Sequence, residues 1–278
     1  MLPGQEPLKF DKYKIIYQPL TKVGCKTFKT WLLILDTLQD YEFIPDNKEH
    51  QQQALNLYNQ FTDLHYQKGN GFSLHLKAHE KFGMFTNYEL NESFKIKPEF
   101  EDYHKILVVR NPWERIASCF VDKFTREIQY SKAEYLQSWF LNEITTGEKE
   151  IYQDDKGRIT FPGFIEALNR IFKNNLIQYL DPHWVPQAFT SNCFTNNFDS
   201  IIKIEDIDKD FKSIQNKLGL PVIPSSFTVV DRGLNSEKKE ESSKYNSFFT
   251  DADLIDKIED IFVDDVSNFS YIKPKAVS

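Results

Sequence analysis

Three cysteines are all that the 278 residues contain. Cys25, Cys119 and Cys193 are too few and too far apart for a disulfide-rich scaffold, and none has the CxxC or CxxH spacing of a zinc site. They read as free structural thiols in a reducing compartment. Positive charge is in short supply too. The 34 Lys and Arg against 41 Asp and Glu give a net charge of −7, which speaks against a broad coat on duplex nucleic acid. A small basic pocket for a small anion remains compatible with that balance. Long apolar runs are absent: the strongest early one, WLLIL at 31–35, falls far short of the roughly 20 residues a spanning helix needs. The opening MLPGQEPLKFDKYK lacks the apolar h-region of an export signal. A soluble, cytoplasmic protein with no membrane or nucleic-acid partner is therefore expected. Neither the Walker pattern GxxxxGK[ST] nor the dinucleotide fingerprint GxGxxG occurs. Internal repeats and low-complexity tracts are lacking as well.

What is present is enough apolar material for a sizeable core. Hydrophobic residues make up 40% and aromatics 15%, which excludes a largely disordered chain. The length suits one large α/β domain, residues 1–278, with no convincing linker. Strands are expected at 14–20, 104–110 and 199–205. Helices are expected at 28–38, 49–67, 112–124, 160–172, 206–220 and 251–269, with a surface loop over 142–160. Trp113, Ile116, Ala117, Phe120 and Phe124 recur at helical spacing, Pro112 suits a first helical position, and Gly219 suits a helix end. Strands separated by helices imply a central, mostly parallel sheet flanked by helices.

In such sheets ligands sit beyond the carboxyl ends of strands, where helix N-termini face the cleft. Two junctions at that position carry unusual chemistry. Thr21-Lys22-Val23-Gly24-Cys25-Lys26-Thr27 offers ammonium groups, hydroxyls, a flexible glycine and backbone N–H groups that together suit a phosphate-like anion. A lysine-bearing surface turn before a core helix explains the same residues equally well. At the second junction, Arg110-Asn111-Pro112-Trp113-Glu114-Arg115-Ile116-Ala117-Ser118, an arginine ends a buried strand. That is costly unless it meets an anion or an internal carboxylate. Arg110 can fork onto phosphate oxygens, and Ser118 can add a hydroxyl two helical turns along. Glu114 and Arg115 could instead form a local surface pair. Two such junctions point to a ligand with two separated phosphate-type groups.

These residues carry a family likeness. TKVGCKTFK (21–29) is similar to the PKVGCTNWK-like 5′-phosphosulfate loop of carbohydrate-type sulfotransferases, which use 3′-phosphoadenosine 5′-phosphosulfate (PAPS). VVRNPWERIASCFVDKF (108–124) resembles their 3′-phosphate motif, V-R-[DN]-P-[FW]-E-R-x-x-S-x-x-x-x-K-F. DPHWVPQ (181–187) resembles D-E-H-W-x-P-Q, and IIKIEDIDKDFKSIQNKLGL (201–220) resembles V-G-K-x-E-[TD]-L and its helix. The segment 248–271 is similar to the family's ending, with Y-x-x-D-F-x-x-F-x-Y. The resemblance implies a P-loop-NTPase-like three-layer fold and in-line sulfuryl transfer from PAPS to an acceptor hydroxyl on a saccharide or small molecule. The product would be 3′-phosphoadenosine 5′-phosphate (PAP). It also implies that Lys22 meets the 5′-phosphosulfate, that Gly24, Cys25, Lys26 and Thr27 line that loop, and that Arg110 and Ser118 hold the 3′-phosphate. Thr21 replaces the family proline, and Lys26-Thr27-Phe28 replaces Thr-Asn-Trp. Cys193 follows the segment after which secreted-pathway relatives carry a cysteine pair, but its counterpart near Thr190 is not cysteine.

Sulfuryl transfer requires removal of the acceptor proton, and imidazole suits that task near neutral pH. The candidates are His75 and His79, four residues apart, then Glu80. His183 is a further contender, beside Trp184 and Pro186, with Asp181 able to orient it. Each has a bland alternative as a structural or surface group. The spacing of His75 and His79 could also suggest a metal, but the HExxH pattern is absent and no metal is expected. Asn235, Ser236, Lys238 and Lys239 lie where relatives place a segment near the cofactor, or form a solvated loop. Two rivals stay open: a nucleotide-dependent small-metabolite kinase, and a non-catalytic nucleotide-binding protein on the same fold.

Overall fold

The computed structural model describes residues 7–37, 47–50, 52, 53, 56, 100–125, 153–155, 157–174, 183–194, 196–220, 222, 223 and 245–277. They belong to two compact units, Met1–Arg110 with Thr190–Asn235, and Asn111–Phe189 with Ser236–Ser278.

The first unit is built on a four-stranded sheet ordered β1-β2-β3-β4, with β1 Leu8–Phe10, β2 Ile15–Gln18, β3 His104–Val109 and β4 Ser200–Lys203. β2, β3 and β4 run parallel, and β1 pairs antiparallel with β2. Ile106, Leu107, Val108 and Val109 are all buried, as a parallel strand covered on both faces requires. β1 was not expected from the sequence. It has three residues, too few for a periodicity signal, and follows Pro7 at the sheet edge, where a missing N–H is tolerated.

Helix α1, Cys25–Thr37, follows β2 and is buried along nearly its whole length. Alternation along β2 sends Tyr17 and Ile16 to opposite faces of the sheet. Tyr17 meets Phe28 of α1 at 4.3 Å between ring centroids, while Ile16 packs with Phe100 and Tyr103. Trp31 of α1 in turn meets Phe211 at 4.8 Å, on the helix Ile207–Lys217 that follows β4. That helix ends where expected, with Gly219 at φ +62°. Its buried Gln215 is a polar hub. Its Oε1 accepts from Trp31 Nε1 (3.3 Å) and Ile223 N (2.6 Å), and its Nε2 donates to Phe211 O and Ile223 O. The architecture is thus a mixed α/β fold with a central, mostly parallel sheet flanked by helices.

The second unit is helical among its described residues. In chain order, α2 is Pro112–Phe120, α3 Phe161–Lys173, α4 Gln187–Ser191, α5 the Ile207–Lys217 helix of the first unit, α6 Ala252–Ile261 and α7 Val263–Asn268. Asn111 caps α2 by accepting from Trp113 N (3.0 Å) and Glu114 N (3.3 Å), and Pro112 needs no partner at the first helical position. Thr160 caps α3 through Gly163 N. Phe120, Phe124, Phe161, Phe164, Trp113 and Trp184 form an aromatic-rich core with Leu254, Ile255 and Ile258 of α6. The single helix expected over 251–269 is two helices, because the backbone departs from helical geometry at Phe262 (φ −110°, ψ 27°). The break buries Phe262 and leaves Val263 half-exposed, and it turns Asp265 fully inward.

Candidate functional site

The β2–α1 junction is shaped by two left-handed residues. Lys22 has φ +63° and Gly24 φ +74°, and Val23 between them is fully buried, anchoring the loop. Gly24 accepts from Phe28 N at 3.2 Å, so the helix starts at Cys25, three residues earlier than expected. The N–H groups of Cys25, Lys26 and Thr27 then form the first turn, where no carbonyl lies four residues back in the helix and the helix dipole is positive. A Cβ on Gly24 would lie 2.7 Å from Ile204 Cδ1, at the carboxyl end of β4. Glycine is needed there for its φ and for the close approach of Ile204. Lys22 and Cys25 are half-buried and the Thr27 side chain is buried.

Arg110 stands at the carboxyl end of β3, directly beside β2 in the same sheet, with Gln18 opposite Leu107. Strand neighbours lie about 4.8 Å apart, so both junctions emerge from the same end of two adjacent strands. Arg110 is half-buried, and its Nε atom is shut off from solvent. Ser118 lies on α2 in the second unit and is half-buried. At the opposite, amino end of the sheet, His104 Nε2 and Ser200 Oγ are 2.8 Å apart. Six residues of strand, roughly 20 Å, separate His104 from Arg110, so this histidine has no place at the junctions.

His183 is half-exposed at the start of a described stretch in the second unit. The neighbouring Trp184 is fully buried and packs edge-on against Phe164 at 5.7 Å, as a core ring. Val185 O accepts from Arg115 at 2.9 Å, and Asp265 accepts from Gln187 and Ala188. His75, His79, Glu80, Asp181, Asn235, Ser236, Lys238 and Lys239 lie outside the described residues, as does most of the helix expected over 49–67. Among the described residues no cluster of three metal-ligating side chains occurs.

The sequence profile of the Sulfotransferase family matches residues 8–272, nearly the whole chain and both units. The chain belongs to the sulfotransferase family. It is similar to human carbohydrate sulfotransferase 10, with 25% identity over 235 residues, covering 80% of this chain and 56% of the relative. The Xenopus laevis carbohydrate sulfotransferase 10 is 23% identical over 279 residues, 95% of this chain and 66% of the relative. Human carbohydrate sulfotransferase 9 is 24% identical over 213 residues, 76% of this chain and 40% of the relative. The chain thus spans between 40% and 66% of the length of these curated relatives. No solved structure matches it. No helix among the described residues is long and apolar enough to cross a membrane.

In this member of the family one charge lies where the sequence does not place it. Glu114 and Arg115 read as a surface pair, but Arg115 is 1% exposed and its guanidinium donates inward to Val185 O. The reason is its place on α2: three residues after Pro112 and four before Cys119, it shares a face with two other buried residues of a helix covered nearly all round. The sequence also gave no sign that Lys29 of α1 is fully buried, since a lysine in a helix ordinarily reads as solvated. Tyr17 and Thr30 have buried hydroxyls with no hydrogen-bond partner among the described residues. Burial, and secondly the Cys25 thiol, push the Tyr17 phenol well above its ordinary pKa. Asp265 reads as solvated in the sequence, because it sits in an acidic, amphipathic stretch where most carboxylates face water. Its match to the Asp of the Y-x-x-D-F-x-x-F-x-Y ending was the one available signal.

Proposed function

We propose that this chain transfers a sulfuryl group from PAPS to an acceptor hydroxyl, on a carbohydrate or another small molecule, with residues 1–278 acting as one sulfotransferase domain on a P-loop-like fold. The observation that carries the reading is the emergence of two anion-suited junctions, Lys22–Thr27 and Arg110, from the same end of adjacent parallel strands. The donor set fits the group. The first helical turn offers backbone N–H groups beside a glycine that a Cβ would crowd, and the second junction offers a guanidinium with a buried Nε. A cradle of that kind suits phosphate oxygens.

PAPS supplies the activated sulfuryl group and leaves as PAP. Cys25, Lys26 and Thr27 would hold the 5′-phosphate through their amides, with the Thr27 hydroxyl beside them. Lys22 would face the charge that develops on the leaving phosphate. Arg110 and Ser118 would hold the 3′-phosphate, which fixes the nucleotide's register. Positioning is the larger part of the work, as in phosphoryl transfer. His75, His79 and His183 are the candidates to take the acceptor proton, and His183 also suits the lining of the acceptor site. Cys25, Cys119 and Cys193 stand as thiols rather than disulfides, which supports a reducing, cytoplasmic setting.

Calorimetric titration with PAP, adenosine 5′-phosphosulfate and ATP tests this. A marked preference for the 3′-phosphorylated nucleotide supports the reading, and equal or ATP-preferring binding sinks it. Arg110→Ala should weaken PAP binding roughly 10- to 150-fold, the worth of a hydrogen bond to a charged group. Lys22→Ala should lower turnover in labelled-sulfate transfer more than it lowers PAP affinity. Intact turnover would remove Lys22 from its role.

A further inference from the structure

The second unit holds a buried acid and a buried base that none of the roles above uses. Asp265 on α7 is 0% exposed and Arg115 on α2 is 1% exposed. Both close on one short piece of chain. Arg115 Nη1 donates to Val185 O at 2.9 Å. Asp265 Oδ2 accepts from Gln187 N at 2.9 Å and from Gln187 Nε2 at 3.0 Å, and its Oδ1 accepts from Ala188 N at 2.7 Å. The chain is thus held on both sides of Pro186.

Gln187 and Ala188 are the first residues of α4, so their N–H groups have no helical acceptor. A Ser, Thr, Asn or Asp just before the helix ordinarily caps such groups. Pro186 occupies that place and has no side-chain oxygen to offer. The cap comes instead from Asp265, 77 and 78 residues further along the chain. Burying a carboxylate and a guanidinium is costly, and a helix of five residues hardly needs so much. Specificity of placement is the better account: the acid and base define one conformation for the backbone from Val185 to Ala188. Trp184, sunk among Phe164 and Phe124, fixes the residue before it.

We propose that Arg115 and Asp265 are positioning residues that set the conformation of His183–Gln187 and thereby the presentation of the His183 imidazole to the acceptor. The functional half of this rests on the sulfotransferase reading, and the conformational half stands apart from it. Arg115 lies one helical turn before Ser118 on α2, so the helix bearing a 3′-phosphate candidate also grips the segment bearing His183. Burial pushes the Asp265 carboxyl up, while Arg115 and the Ala188 and Gln187 donors pull it down. Losing any one partner would therefore be felt by the others.

The test uses the full chain with isotope-labelled histidine, and His183→Gln assigns the His183 imidazole signal. Asp265→Asn should move that signal and alter its titration with pH, while PAP affinity by calorimetry stays unchanged. Gln187→Ala removes one donor and leaves the buried charges in place, so it should move the same signal by less. If Asp265→Asn does not fold, Gln187→Ala decides alone. A His183 signal and titration unchanged in the folded variants would overturn the proposal. Failure of the wild-type chain to bind PAP would refute the sulfotransferase reading instead, and the histidine spectrum would still decide the clamp.

Discussion

Replacing Gly24 with alanine tests the anion loop without touching a charged group. Gly24 sits at φ +74°, where a left-handed conformation costs an L-residue about 1–2 kcal/mol. The added Cβ would also lie 2.7 Å from Ile204 Cδ1, closer than real contacts allow. That atom is the end of a flexible side chain, so Ile204 can swing away at an off-rotamer cost of roughly 0.5–1.5 kcal/mol. Gly24→Ala should therefore lose about 1.5–3.5 kcal/mol in urea unfolding, with an unchanged slope. A double-mutant cycle with Ile204→Ala separates the two causes. Relief of the contact should recover only the smaller part, because nothing at Ile204 changes the φ of residue 24. The variant should also bind PAP more weakly, since the strained turn displaces the amides of Cys25, Lys26 and Thr27. Wild-type stability in Gly24→Ala would refute the left-handed turn. Full rescue by Ile204→Ala would assign the whole cost to crowding and none to the backbone.

Gln215→Leu keeps the volume of a fully buried side chain but removes the acceptor of Trp31 Nε1 and Ile223 N. Two stranded N–H groups should cost roughly 2–6 kcal/mol, and unfolding monitored by tryptophan fluorescence would reveal a neutral change if the hub were idle. His104 offers a pH test. Burial is the main cause that lowers its pKa, with Lys217 and Lys105 adding to it and Asp199 opposing. The folded state therefore binds fewer protons than the unfolded state below the ordinary histidine pKa of about 6.5. Stability should be full above that pH and fall as the pH drops toward the folded-state value. His104→Gln should flatten this part of the melting-temperature profile between pH 7.5 and 5.5, two values chosen on either side of about 6.5. An identical slope in wild type and variant would remove His104 as its source.

Much of the site's frame could be read from residues in order. The buried run ILVV at 106–109 ends in Arg110, and the β-rich KIIYQPL runs into a loop with lysines and a glycine. Those patterns placed β2 and β3, and the helix after each, within a few residues. The start of α1 is not legible in the sequence because Cys25, Lys26 and Thr27 have no apolar periodicity; the Gly24–Phe28 hydrogen bond makes them helical. The break at Phe262 was invisible, since Leu254, Ile255, Ile258, Ile261 and Phe262 continue one apolar stripe across it. Histidines at 75 and 79 were the sequence's strongest candidates for the base, and they fall outside the described residues.

Local chemistry along the chain determined the alternation of strands and helices, the two anion-suited junctions and the family. Each is written in neighbouring residues: a strand's buried run, a glycine before a helix, an arginine after a strand. Tertiary structure alone decided which charges turn inward. Arg115 and Asp265 are 150 residues apart by number, and Gln215 meets Trp31 across 184. Their burial follows from the packing of helices that no local pattern specifies, because a charged side chain on an amphipathic helix reads as solvated until its neighbours are in place. Only then do the long-range hydrogen bonds that offset its desolvation exist.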